Sequence, residues 1–471
     1  MRLSSPTGSR RQAPPRWPVL ALAAALAGCA GLTPQDARLP DAPVPATWST
    51  GSSTTGPATS LAQWWQRLGD AQLTALVEQA LAANTSVRTA QAALQQARAQ
   101  VDVQAAGLAP QVGASASAQR SRSGNSGTGN SFQLGFDASW EPDVFGRVRA
   151  GVNASEADAR AAEASLADVQ VSLAAEVAVN YIELRSLQQR LAIAQSNLAS
   201  QGETLQITQW RLQAGLTTSL VAEQARAASE QTAAQIPALE ASLAQSRHSL
   251  ALLTGQAPGA LDAQLAASAA VPLAPHELAM AIPAETLRQR ADVRAAEQRI
   301  RAALSRVSQA EAARYPDFGI SGSVGLRALT LGALGGGSAV AASLLGSVSL
   351  PLLDGGANRA QVRAQEASLE QARIAYQAAV LAALKDVEDA LVSLRGNRER
   401  LVRLTSAADA AGNAALLAQQ RYRSGLIDFQ AVLETQRTLL STQDGVATTV
   451  ASVSADHVRL YKALGGGWQP Q

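Results

Sequence analysis

Cys29 is the only cysteine in this 471-residue chain, and His248, His276 and His457 are its only histidines. One cysteine excludes an intrachain disulfide and any CxxC metal or redox site. Histidines scattered so far apart have no zinc-ligand spacing. No Ser–His–Asp constellation, P-loop or dinucleotide fingerprint occurs, so an enzyme reading has no residues to rest on. Asp386 and Asp389 share a charged helical face and are expected to be solvated. Glu434 and Arg437 are spaced i,i+3, so they share a helix face and reach neighbouring helices; an ordinary exposed pair of this kind contributes about 0.2–0.5 kcal/mol.

Chemistry of a different sort attaches to Cys29. The first residues read as a secretory signal, with Arg2, Arg10, Arg11 and Arg16 ahead of the apolar run Trp17 to Ala27. The run ends Leu26-Ala27-Gly28-Cys29, which resembles a bacterial lipoprotein box. Cleavage would follow Gly28, and Cys29 would carry a diacylglycerol and an N-acyl chain as its only added groups. Acyl chains contribute about 0.8 kcal/mol per buried CH₂, so such a cysteine anchors firmly. Ala30 in place of Asp resembles lipoproteins sent on to the outer membrane. Without the four presequence arginines, 35 basic residues face 37 acidic ones, and the formal +2 becomes a small negative charge. Nucleic-acid binding loses its electrostatic support.

The elements that must position these groups come in two kinds. Leu184, Leu191, Leu198, Leu205 and Leu212 stand one heptad apart, the pattern of coiled-coil packing. A helix over 147–212 would be about 100 Å long. Gly215 breaks it, and a return helix is expected from about Thr218 to Thr254. A helix from Glu285 to Arg314 alternates Val293, Ile300 and Val307 with Ala296, Ala303 and Ala310, which permits close helix approach. A second long helix spans Ala357 to Arg423; Gly425 breaks it, and the last helix ends at Leu464. Aromatic residues are only 4% of the chain, in keeping with thin Ala-rich helix packing rather than one large core.

Flat, period-two segments precede both long helices. In the first, Val112, Ala114, Ala116 and Ala118 alternate with small polar residues. The alternation returns in Phe132, Leu134, Phe136, Ala138 and Trp140, opposite Gln133, Asp137, Ser139 and Glu141. The second hairpin begins at Pro316, with Phe318, Ile320, Val324, Leu326 and Ala328 on one face, then Leu344, Val348, Leu350 and Leu352. A transmembrane helix over 328–353 is the rival assignment; its glycines, its proline and the alternation oppose it. Asp137, Glu141 and Asp143 either set cation preference at a lumen wall or form an ordinary polar face.

The halves align. Gly146 and Gly355 each open a long helix after a hairpin, and Arg211-Leu212-Gln213-Ala214-Gly215-Leu216 matches Arg421-Tyr422-Arg423-Ser424-Gly425-Leu426. A duplicated unit of hairpin plus helical pair follows. The expected divisions are a signal peptide at 1–28, a lipidated tether at 29–60, a first repeat at 61–255 with its hairpin at 110–142, a linker at 256–284, and a second repeat at 285–471 with its hairpin at 316–353. Four strands with apolar faces in lipid leave two edges that hydrocarbon cannot tolerate, and bacterial barrels need eight strands or more. Two copies supply eight strands and three supply twelve; the residues alone allow both.

Several segments carry a more specific likeness. Gln289-Arg290-Ala291-Asp292-Val293-Arg294-Ala295-Ala296-Glu297, Arg421 to Gly425, Tyr461-Lys462-Ala463-Leu464-Gly465-Gly466-Gly467-Trp468, Trp64-Trp65 and the Leu26–Cys29 box together resemble the TolC-like outer-membrane factor family, in its drug-efflux lipoprotein branch. That resemblance implies a mainly α homotrimer with a twelve-stranded outer-membrane barrel continued by a periplasmic α-helical barrel. It implies docking with a periplasmic adaptor and an inner-membrane pump of the resistance-nodulation-division class, to expel drugs or other small solutes. It also places a gate at the far periplasmic end, near Gly215 and Gly425. There Tyr422, Glu434 and Arg437 fall where the family ties its inner helices together, with Glu434 in place of a common aspartate. Gln430 falls where some relatives have an apolar constriction. A type I protein-secretion duct uses the same architecture, and a lipid-anchored coiled-coil stalk accounts for the heptads but not for the two hairpins.

Overall fold

The structure, a computed structural model, describes Trp48 and residues 62–122, 128–274 and 284–466. Gly28, Cys29, the signal segment, the tether apart from Trp48, His276 and the end of the C-terminal block lie outside the described residues. Two short helices come first, α1 (Ala71–Ala83) and α2 (Thr85–Ala106). Each starts on a side-chain cap: Asp70 accepts from the Gln72 and Leu73 amides, and Asn84 accepts from the Ser86 amide. Strands β1 (Gln111–Arg122) and β2 (Thr128–Trp140) form the first hairpin. The 67-residue helix α3 (Arg147–Gln213) follows, then α4 (Ser219–Ala233) and α5 (Gln235–Leu253). The second half repeats the plan with α6 (Ala291–Ala312), β3 (Asp317–Ala328), β4 (Val340–Ser349), the 67-residue α7 (Ala357–Arg423) and α8 (Phe429–Ala463).

Four expectations need correction. The helix expected from Glu285 to Arg314 is a 3-10 turn over Ala284–Gln289 and then α6 from Ala291, parted by the extended backbone of Arg290. The return helix is two helices broken at Ala234. Pro237 has no amide hydrogen to bond back to Ala233, and its ring collides with that carbonyl. Gly356, not Gly355, occupies the cap of α7, although both have positive φ. The five leucines do not form one seam: Leu184 is fully buried, Leu191 is partly buried and Leu212 is exposed. Where the heptad fades, Ala194, Asn197, Gln201, Thr204 and Thr208 take over the buried line. The rival membrane helix over 328–353 is absent, and no helix among the described residues is long and apolar enough to cross a membrane.

Small residues set the helix packing. Ala150, Ala154, Ala157, Ala161, Ala164 and Ala167 line the first part of α3 at 3–4 spacing and are all buried. Without long side chains between them, α3 and α6 approach closely, and Arg306 ties to Asp158 beside the seam. Further along α3, a core gathers Trp64, Leu73, Leu76, Tyr181, Leu184, Leu250 and Tyr461. Arg185 locks this region: it donates to Gln188 (2.7 Å), the Ala267 carbonyl (2.6 Å) and the Tyr181 hydroxyl (2.8 Å). Tyr181 in turn donates to Asp70 at 2.7 Å, so α3 holds the cap of α1. Burial pushes the Tyr181 phenol up to about 12, which keeps it a donor. The segments that carried the family likeness also meet. Trp64 stacks on Tyr461 at 5.6 Å, and Arg290 bonds the Ala463 carbonyl at 2.8 Å.

Candidate functional site

The four strands make one antiparallel sheet in the order β1-β2-β3-β4. Its register brings most of the apolar residues of every strand to one side. Phe136 lies opposite Ala114 on β1 and Val324 on β3, and Val324 lies opposite Ala342 on β4. The other face is mostly small and polar, with Leu345 opposite Ser321 as its large apolar exception: Asp137 pairs with Gly113 and Ser323, and Ser323 pairs with Ser343. No strand residue is buried in the single chain, and Phe136 and Leu344 are 60% and 82% exposed. β1 and β4 each present an open edge. The sheet therefore has a mainly apolar face, a mainly polar face and two edges with no strand partner among the described residues.

Only one member of the Asp137–Glu141–Asp143 group is available on the polar face. Asp137 accepts from Ser115 at 2.7 Å and is exposed. Glu141 pairs with Arg147. Asp143 caps the start of α3 through the Val148 and Arg149 amides at 3.0 and 2.8 Å. Burial works to raise its carboxyl, but those amides and Arg149 hold it below its ordinary value.

At the far end of the long helices the two repeats close identically. The Leu216 amide donates to the Arg211 carbonyl and the Leu426 amide to the Arg421 carbonyl, both at 2.8 Å. Gly215 and Gly425 sit at φ 71° and 74°, the left-handed conformation that ends a helix in this motif and that a side chain disfavours. Tyr422 is the centre of the tip. It is 3% exposed, its hydroxyl pairs with Thr208 at 2.9 Å, and its ring meets Phe429 edge-on at 6.1 Å. The Arg211 guanidinium lies 4.7 Å from that ring and donates to the Tyr422 carbonyl at 2.9 Å. Arg423 reaches Glu203 at 2.9 Å. Thus α3 and α7 are clasped at their ends.

A polar seam continues from this clasp. Gln436 donates to Thr204 at 3.0 Å, and Asn197 donates to Gln443 at 2.9 Å. These residues join α3 to α8, and nothing in the sequence singled them out except the fading of the leucine heptad at the same place. Glu434 and Arg437 are both exposed, and neither forms an ion pair or hydrogen bond with any described residue. They are not the ordinary helix pair that their spacing allowed. Arg437 borders an open polar cleft of about 470 Å³ with Gln201, Thr232, Ser441 and Asp444. Gln430 is exposed and donates to Gln224 at 3.1 Å. Of the other titratable groups, Asp386 accepts from Arg290 and Asp389 from Lys385, while His457 is buried between the Val453 carbonyl and Arg398.

The profile of the family described as "Outer membrane efflux protein" matches residues 76–256 and 282–466. The chain is 30% identical to outer membrane protein OprJ of Pseudomonas aeruginosa over 471 residues, covering 96% of each. It is 28% identical to the probable outer membrane lipoprotein SilC of Salmonella typhimurium over 454 residues, covering 94% of this chain and 96% of SilC. Among solved structures, the outer-membrane channel OprN superposes with a TM-score of 0.85 at 36% identity, over 92% of this chain and all of OprN.

Proposed function

The chain belongs to the outer membrane efflux protein family, and from that premise we propose that it is the exit duct of a tripartite efflux pump. Three copies pool their sheets into a twelve-stranded barrel, polar face inward. The long helices continue the conduit into the periplasm, and Cys29 anchors each copy through its acyl chains. A periplasmic adaptor of the family's kind supplies the opening and an inner-membrane pump of the resistance-nodulation-division class the energy, the sequence having no nucleotide-binding motif of its own.

The observation that carries this reading is the register of the open sheet, which gathers Phe132, Leu134, Phe136, Val324, Leu344 and Val348 on one face and leaves the other mostly small and polar, Leu345 excepted. Lipid accepts the apolar face and forbids the two edges, so copies must join β1 to β4. Twelve strands also leave space for a water-filled interior that eight fill with side chains. At the other end the conduit must be shut at rest. The Tyr422–Thr208–Arg211 clasp holds each chain's two helical pairs together. Glu434 and Arg437, whose side chains have no partner among the described residues, tie each copy to the next. An adaptor opens the tip by binding its dilated form better than the closed one. The side-chain bonds of the seam between α3 and α8 can exchange with water as the helices part, which suits a region that must move.

Deleting the gene is expected to raise cellular retention of a cationic dye such as ethidium and to lower antibiotic tolerance, with both restored by re-expression. A correctly located oligomer whose loss changes no small-solute export contradicts the proposal. Loss of a secreted protein from the medium, with dye export unchanged, reassigns the duct to protein secretion.

A further inference from the structure

The two hairpins are electrically polarised along their length. Between Leu108 and Gly146, and between Pro316 and Gly356, the acids are Asp137, Glu141, Asp143, Asp317 and Asp354. All five lie in the halves of the hairpins next to the long helices. The basic residues in these two stretches are Arg120, Arg122 and Arg327, and all three lie at the loop ends of their strands. No carboxylate occurs in the loop halves of either hairpin to neutralise them.

The register divides these arginines between the faces. Ala118 pairs with Phe132, Arg120 with Asn130 and Arg122 with Thr128, with no bulge between them. Arg120 and Arg122 therefore continue the apolar face of Val112, Ala114, Ala116 and Ala118. They stand about 7 and 14 Å beyond Ala118 along the strand. Arg327 pairs with Gln133 and belongs to the polar face. Arg120 and Arg122 are exposed, and neither has an ion pair or side-chain hydrogen bond among the described residues. Two uncompensated guanidiniums sit on the lipid side, just past the apolar band, at the end away from the periplasmic helices. No described residue supplies a counter-charge there, and the hairpin loops carry no carboxylate in sequence, so the charge is met from the surroundings.

We propose that Arg120 and Arg122 form a binding surface for the phosphate groups of lipid headgroups in the outer leaflet of the outer membrane, a phosphorylated glycolipid being the occupant. A guanidinium presents two parallel N–H donors to a phosphate, and a pair two residues apart on one strand face spans neighbouring phosphates. Arg side chains also bend along apolar surface to reach the headgroup layer, so the aliphatic stems stay in contact with acyl chains. The site fixes the depth of β1 in the bilayer. It rests on the proposed barrel, in which the apolar face meets lipid.

The test is native mass spectrometry of the detergent-purified oligomer, titrated with diphosphorylated lipid A, with its dephosphorylated form and with inorganic phosphate. The wild type is expected to retain diphosphorylated lipid A at least tenfold more tightly than the Arg120→Gln/Arg122→Gln variant, and Arg327→Gln is expected to bind as the wild type does. Inorganic phosphate at millimolar concentration is expected not to displace the lipid, since the acyl chains add to the binding. Equal retention by wild type and the double variant overturns the proposal, as does equal retention of the dephosphorylated lipid. If the double variant fails to assemble, Arg120→Gln and Arg122→Gln are each titrated alone, with a loss expected in both and an unchanged affinity in both overturning the site. A Phe136 position shielded by lipid, together with unchanged lipid A binding, sinks this inference while leaving the barrel intact.

Discussion

Arg437→Ala is expected to raise single-channel conductance severalfold and to admit vancomycin to cells, with the thermal stability of the protein unchanged. Arg437 is exposed and makes no ion pair or hydrogen bond within the described chain, so its removal costs the fold almost nothing. Its proposed work lies between copies, where it holds the resting tip closed. Tyr422→Ala is expected to leak as well, but by a different route and with a lower unfolding temperature. That change removes a buried aromatic ring together with its bond to Thr208, its contact with Phe429 and the seat of the Arg211 guanidinium. Deleting a packed aromatic costs about 3–5 kcal/mol. Tyr422→Phe removes only the hydroxyl, with a net loss of about 1 kcal/mol, and should leak far less. The comparison separates two kinds of closure. Leakage from Tyr422→Ala but not from Arg437→Ala would locate closure in the clasp inside each chain. Planar-bilayer recordings and vancomycin inhibition zones, made on variants of matched abundance, read both outcomes.

Phe136→Arg is expected to abolish heat-modifiable oligomers in outer-membrane fractions, while Asp137→Arg, one residue away, leaves them in place. Phe136 lies midway along the apolar run from Phe132 to Trp140 and is flanked by Ala114 and Val324. An arginine facing lipid at the bilayer midplane costs about 2–4 kcal/mol, and every copy in a shared barrel bears that cost. Position 137 is on the opposite face, where Ser115 and water solvate whatever stands there. The two variants have the same new side chain, so composition and charge do not explain a difference between them. Equal yields from both would mean that the register does not decide which face meets lipid.

The parts of this molecule that could be read from sequence are those with a period. Alternation of Phe132, Leu134 and Phe136 with Gln133, Gly135 and Asp137 fixed the strands, because a slip of one residue would reverse both faces. The matched turns at Gly215 and Gly425 were visible because the left-handed position favours glycine. The polar seam was hidden for the opposite reason. Asn197, Thr204 and Thr208 obey helical spacing, but polar residues at that spacing read as a solvated face, and their partners Gln443, Gln436 and Tyr422 lie more than two hundred residues away. The roles of Glu141 and Asp143 were equally illegible, since capping and pairing depend on where the chain turns after β2. The break at Ala234 was legible after all: Pro237 was in plain view, three residues into the second helix.

All of this depends on which side of the strands touches hydrocarbon. Single cysteines placed at Phe136 and Asp137, labelled in intact outer membranes with a charged maleimide, test it most directly. Cys29 is kept, because its proposed thioether to lipid leaves no thiol for maleimide, and the unsubstituted protein is the labelling control. The account predicts strong labelling at 137 and protection at 136 that is lost when detergent and denaturant dissolve the membrane. Labelling of 136 in intact membranes, or equal labelling of both, would show that the sheet stands in water and that the chain builds no transmembrane wall.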